Sequence, residues 1–245
     1  MFRIALVVWF ALCSTPVFAG DLAPLSIGGK EIQVDVPAGY VRASEKAPSL
    51  FATSAAALPP TLRLVETLVA ESDIKRMLAG ESLAQAYVQV QVMRDAEGVD
   101  FTDQEWRALQ PTMAKGLGAT DLDATTKALQ SGMGDRMSKA AGGAIEIKYG
   151  AVGKPRVYSQ AGDVIRFVLR LPISGNVNGK DVHFLLECAG AVLVLNGKLL
   201  MINAYQPVDA PDDNFTKVRA FLDPLVERAQ ALNASSAAGA PTKAD

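Results

Sequence analysis

From Ala144 to Tyr205 the chain alternates apolar and polar residues, and a run of that period can be little other than sheet. Ile145, Ile147 and Tyr149 alternate with Glu146 and Lys148. Ile165, Phe167, Leu169 and Leu171 alternate with Arg166, Val168 and Arg170. Val182, Phe184, Leu186 and Cys188 alternate with His183, Leu185 and Glu187. Successive side chains of a strand point to opposite faces, so each set marks one buried face. Asn178-Gly179 and Asn196-Gly197 punctuate the run. Both residue types tolerate positive φ, which two-residue hairpin turns require, so the strands are expected to pair antiparallel.

The rest of the chain supplies shorter elements. Ile32, Val34 and Val36 predict a half-buried strand over residues 30–36, ended by Pro37-Ala38-Gly39. Residues 43–60, with Ser, Ala and two adjacent prolines, read as a loop. Leu62 to Val69 reads as a second strand, and Tyr87 to Met93 as a third with Val88, Val90 and Val92 on its core face. Between them Ser72 is expected to cap a short helix that Gly80 stops. Thr102-Asp-Gln-Glu105 is a capping box, followed by Trp106, Leu109 and Met113 at helical spacing. A further helix is predicted from Asp121 to Met137, ended by Gly142-Gly143. The last helix is the clearest: Phe215, Val218, Leu222, Leu225, Ala229 and Leu232 form one stripe, which should lie on a sheet face. The tail from Ala234 to Asp245 is small and polar, and is expected to be disordered.

At the N-terminus Arg3 precedes an apolar run from Ile4 to Leu12, broken by Pro16, with Ala19 before Gly20. This is the anatomy of a signal peptide over residues 1–19, cleaved before Gly20. The run is about half the roughly 20 residues a spanning helix needs. Export to the periplasm or outside the cell is expected, with one domain over residues 20–233 and no transmembrane segment after cleavage. The whole chain carries a formal charge of −2, and loss of Arg3 makes it −3. Basic residues form no stripe, which argues against a nucleic-acid partner.

Two stretches resemble the PsbP-type α/β/α sandwich. One is Ile32-Gln-Val-Asp-Val-Pro-Ala-Gly-Tyr40; the other is the terminal hairpin, its strand Lys198 to Tyr205 and the helix after Asp212. Arg63 to Glu105 also resembles bacterial envelope proteins of that layout. The resemblance implies an α+β fold: a mainly antiparallel sheet flanked by helices, with the long C-terminal helix packed on it. It implies an accessory or binding role rather than an enzyme, and brings no functional residue with it.

The residues themselves offer little chemistry. The chain has one histidine, His183, and after cleavage one cysteine, Cys188. No disulfide can then form within the mature chain, and neither a zinc site nor any other resident metal or cofactor is expected. His183 and Cys188 are five residues apart on one strand, hence on opposite faces, and cannot act as a nucleophile and its base. Cys188 reads as a small buried hydrophobe. Asp121/Asp123 and Asp212/Asp213 fall at helix starts, where carboxylates cap. Asn214-Phe-Thr216 and Asn233-Ala-Ser235 match the glycosylation pattern, which has meaning only in a eukaryotic secretory pathway. No catalytic set is identified.

One polar cluster is the candidate ligand site. A hairpin turning at Asn176–Asn178 would pair Arg166 with Glu187 and Arg170 with His183 on the face away from the core. That arrangement is either a solvated face with a cross-strand ion pair or a cationic patch for an anionic ligand. Glu66, interrupting the Leu62, Leu64, Leu68 face, marks a polar pocket or the edge of burial. The functional expectation is an exported, non-enzymatic module of the bacterial envelope that binds a protein or small molecule. A hydrolase built on paired carboxylates and a carrier of a small apolar ligand are its alternatives.

Overall fold

A computed structural model describes residues 21–78, 83–119, 130–177 and 179–237. The expected signal segment, Gly80, Asp121/Asp123 and residues 238–245 lie outside these. The fold is α+β, and its strands pair antiparallel. A two-stranded sheet joins β1 (Leu22–Ile27) to β2 (Lys30–Asp35). The main sheet has eight strands. They are β3 (Tyr40–Arg42), β4 (Leu62–Ala70), β5 (Tyr87–Met93), β6 (Ile145–Tyr149), β7 (Arg156–Ser159), β8 (Val164–Val177), β9 (Lys180–Leu195) and β10 (Lys198–Val208). Their order is β3-β4-β5-β10-β9-β8-β6, with β7 also paired to β8.

Helices α1 (Ala43–Lys46) and α2 (Pro48–Ala57) occupy the stretch expected to be a loop. Pro48 in the first turn is preset for a helix, and the alanines behind it carry the highest helix propensity, so the prolines at 59 and 60 end a helix rather than mark a loop. Helix α3 (Glu71–Leu78) begins one residue before the expected Ser72 cap. After α4 (Arg94–Glu97), helix α5 (Asp103–Ala119) starts at the predicted capping box. Glu105 N donates to Thr102 Oγ1 at 3.2 Å, and Thr102 N donates back to Glu105 Oε2 at 2.8 Å. Helix α6 (Met133–Ala141) runs past the expected end at Met137 and stops at Gly142, whose φ of 67° needs no Cβ; the expected start, residues 121–129, lies outside the described set. Helix α7 (Thr216–Ala237) continues past the expected start of the tail at Ala234.

The main sheet is covered on both sides. Helix α7 and β1–β2 close one face over Leu68, Val90, Leu193, Leu200 and Ile202, all nearly inaccessible. Val218, Leu222, Leu225 and Ala229 of the predicted stripe are buried there. Asn233 ties the helix end to β2. Its Nδ2 donates to Gln33 O at 2.8 Å, and its Oδ1 accepts from Gln33 N at 3.0 Å, as a neighbouring strand would. That use, at 2 % exposure, leaves no amide free for a glycan. Helix α5 closes part of the opposite face, with Trp106 and Ala114 over Ile165, Phe167 and Val192. Helix α6 packs on β6, whose Tyr149 is opposite Ile173 and so on the α5 side, and α2 packs on α6. No helix among the described residues is long and apolar enough to cross a membrane.

Candidate functional site

The polar cluster expected on the β8–β9 hairpin has a different register and a different role. Arg170 is opposite Glu187, Ser174 opposite His183, and Arg166 opposite Ala191. The predicted Arg166–Glu187 and Arg170–His183 pairs do not form. The strands close between Val177 and Lys180, which are opposite one another, with Gly179 at φ 84°. Moving the centre of a turn by two residues moves each cross-strand partner by four, and the Asn-Gly chemistry decided that centre.

Nor does this face point away from the core. Arg166 and Glu187 share it with Val168 and Ala189, beneath α7, and Glu187 is only 1 % exposed. Its Oε1 accepts from Asp212 N at 2.8 Å and from Arg170 Nε at 3.4 Å. Arg170 also reaches Asp213 at 3.3 Å and lies 4.7 Å over the Phe215 ring. Asp212 in turn accepts from Thr216 N at 2.7 Å, the capping role expected of it. These amides and the nearby Arg170 hold its carboxyl below the usual aspartate range. Arg166 stands 3.3 Å from Asp223, a charge contact without hydrogen-bond geometry, and Asp223 accepts from Tyr158 Oη at 2.7 Å. The cations are thus matched by carboxylates of the loop and first turns of α7. The group is a latch for that helix, and an anionic ligand would have to displace the latch. His183 is exposed, down the hairpin from the others.

Glu66 is a buried anchor: it accepts from Arg42 Nε at 2.9 Å and Ser44 N at 3.1 Å, beside a bulge between Leu64 and Glu66. Asp73 is likewise held, by Ala84 N at 3.1 Å and Gln85 N at 2.9 Å. Buried Asp35 lies apart in β2, its carboxyl raised first by desolvation and countered by Arg228. These carboxylates are on separate elements, so the described residues contain no buried pair arranged for acid–base exchange.

The more informative surface is the α5 side of the sheet. Thr67, Gln89, Asn203 and Gly190 are directly opposite one another across β4, β5, β10 and β9, so they form one row. Thr67 is 3 % exposed and Asn203 6 %, yet Thr67 Oγ1 and Asn203 Oδ1 have no hydrogen-bond partner. Gln110 Nε2, on the buried side of α5, also lacks one. Leaving such a group unmade costs about 1–3 kcal/mol. Gly190 makes room in this row: a Cβ there would overlap the Phe167 ring and the Asn203 carboxamide oxygen. Gln91, on the next row, donates to Gln89 Oε1 at 2.8 Å. One row to the other side, Tyr87 and Tyr205 stack with centroids 5.0 Å apart.

Accessibility differs between the two faces of the central strand. On β10, Leu200, Ile202 and Ala204 are sealed beneath α7. Met201 and Tyr205, on the other side of the same strand, keep accessible surface, as does Tyr87 beside them. A strand with neighbours on both edges is reached by solvent only where the covering layer is open. The α5 side is therefore incompletely covered over β5 and β10. Apart from Lys180 at the hairpin tip, the register puts no charged strand residue on this face from β4 to β8.

Burial raises the Tyr87 and Tyr205 hydroxyls well above the ordinary tyrosine range and raises that of Tyr149, so all three stay protonated at neutral pH. Cys188 shares this face, opposite Leu169 and Tyr205, and desolvation raises its thiol too. At 2 % exposure it should react slowly with iodoacetamide in the native protein and rapidly in denaturant. Fast native alkylation would contradict this register.

Sequence reasoning placed Val88, Val90 and Val92 correctly, at no measurable exposure, but left Gln89 and Gln91 to solvent by alternation. The available signal was compositional. Two glutamines between valines on β5, one of them opposite an asparagine on β10, are uncommon where both faces are covered. Among the described residues no three His, Cys, Asp or Glu side chains come together as a metal set. No family model matches the chain, and no curated protein matches it.

Proposed function

We propose that the chain is an exported, non-enzymatic binding module of the bacterial envelope, and that its ligand is a small molecule bound over β5 and β10, where the sheet is incompletely covered. The observation that carries this reading is the pair of unpartnered, buried acceptors, Thr67 Oγ1 and Asn203 Oδ1, beside an opening onto the central strand. The described strand residues on this side, from β4 to β8, bring no carboxylate pair together, which favours binding over hydrolysis. The signal-peptide pattern of residues 1–19 supports export.

Mass spectrometry of the protein from the non-cytoplasmic fraction tests both halves. The denatured mass should correspond to a chain beginning at Gly20. The native mass should exceed it by a bound small molecule that denaturant releases. A chain retaining Met1 would overturn export. A bare native mass, with no amide shifts in the β5 and β10 residues when metabolite extract is added, would overturn the binding site.

A further inference from the structure

We infer that the attachment of α5 to the sheet is an oxidant-sensitive device, released when hydrogen peroxide converts Met93, Met113 and Met201 to sulfoxides. Each of the three packs against the cluster of Trp106, Ala114, Ile165, Phe167, Val192 and Leu199, and each comes from a different element: β5, α5 and β10. All three keep accessible surface, whereas Met133, in α6, has none. Exposure governs which thioethers a small oxidant reaches. In the reaction a sulfur lone pair attacks one peroxide oxygen. The O–O bond breaks, an S–O bond forms, and the other oxygen leaves as water; sulfur is oxidised by two electrons and peroxide is reduced by two. The product is a polar acceptor in place of an adaptable apolar group. The cluster side chains are hydrocarbon apart from Trp106 Nε1–H, which already donates to Asp163 O at 2.7 Å. A sulfoxide gains a donor only by turning out to water, away from the seam. The helix itself is weak in its second half. Pro111 removes a backbone donor, and Gly116 and Gly118 lower helix propensity, so this half depends on packing. The first turns are fastened independently, by the capping box and by Arg107 Nε on Asp163 at 3.1 Å. The half that carries Met113 and Leu117 is therefore the half that oxidation frees.

The test treats the mature protein with hydrogen peroxide, maps the added oxygen by peptide mass and follows amide hydrogen exchange. Met93, Met113 and Met201 are each expected to gain one oxygen in the native protein, faster than Met133. Exchange in residues 111–119 should then rise at least about tenfold while α7 keeps its protection, and methionine sulfoxide reductase should reverse the rise. Met93→Leu, Met113→Leu and Met201→Leu combined conserve side-chain volume. That variant should keep native exchange after the same treatment, although Met133 and Met137 are still present. If it does not fold, Met113→Leu alone serves, with a smaller rise than the unsubstituted protein. Unoxidised sulfurs at the three positions, unchanged exchange in the oxidised protein, or an equal rise in the leucine variant would overturn the inference. So would a loss of protection spread evenly over α5 and α7, which marks global unfolding rather than release of one helix.

Discussion

Trp106→Ala is expected to destabilise the protein by about 3–5 kcal/mol, measured as a lower denaturation midpoint with an unchanged slope. Trp106 is 2 % exposed and centres the cluster with Ile165, Phe167, Val192 and Leu199. It is the largest side chain α5 lays on the sheet, and its Nε1 donates to Asp163 O at 2.7 Å. Truncation leaves a void that a rigid sheet cannot collapse to fill. Trp106→Phe keeps most of the ring packing and loses the hydrogen bond, so its cost should be nearer 1 kcal/mol. Equal losses for the two variants would show that the hydrogen bond, not the packing, attaches α5.

Leu222→Ala should cost about 2–5 kcal/mol by the same measurement. Leu222 has no exposed surface and sits mid-stripe on α7, with Val218, Leu225 and Val226 around it. Without those contacts α7 would be an isolated helix, marginal in water. Because Trp106 and Leu222 lie on opposite faces and in separate clusters, the double variant should lose close to the sum of the two. An unchanged midpoint for Leu222→Ala would mean that α7 does not hold the sheet.

Much of the fold was legible because it is encoded locally. Val88, Val90 and Val92 announced β5 by period two. The Thr102 and Glu105 pair announced α5 by its cap, and the stripe from Phe215 announced α7. The segment at residues 43–60 was misread because turn-forming residues there mark the ends of a helix rather than a loop. Helix propensity of alanine behind a leading proline outweighs the count of small residues.

The candidate site was legible only in fragments. Arg166, Arg170 and Glu187 were correctly placed on one face, and Arg170 and Glu187 do meet, but in another register and as a latch for α7. Glu66 was read as interrupting a Leu62, Leu64, Leu68 face, but the bulge between Leu64 and Glu66 turns Leu62 and Leu64 to the other side, and the purpose of Glu66 became visible only once Arg42 and Ser44 folded over it.

The sequence by itself determined where strands and helices form and which residues share a side. Those follow from backbone geometry, turn chemistry and the period of apolar residues within one segment. Only the tertiary structure decided what covers each side. Alternation states that Gln89 and Val90 face opposite ways; it does not state that a layer will bury both. Such a layer comes from elements remote from β5 in the chain, as α7 does for Val90, brought to it by the sheet order. The row of Thr67, Gln89 and Asn203 has the same origin, since its members meet only when β10 inserts between β5 and β9.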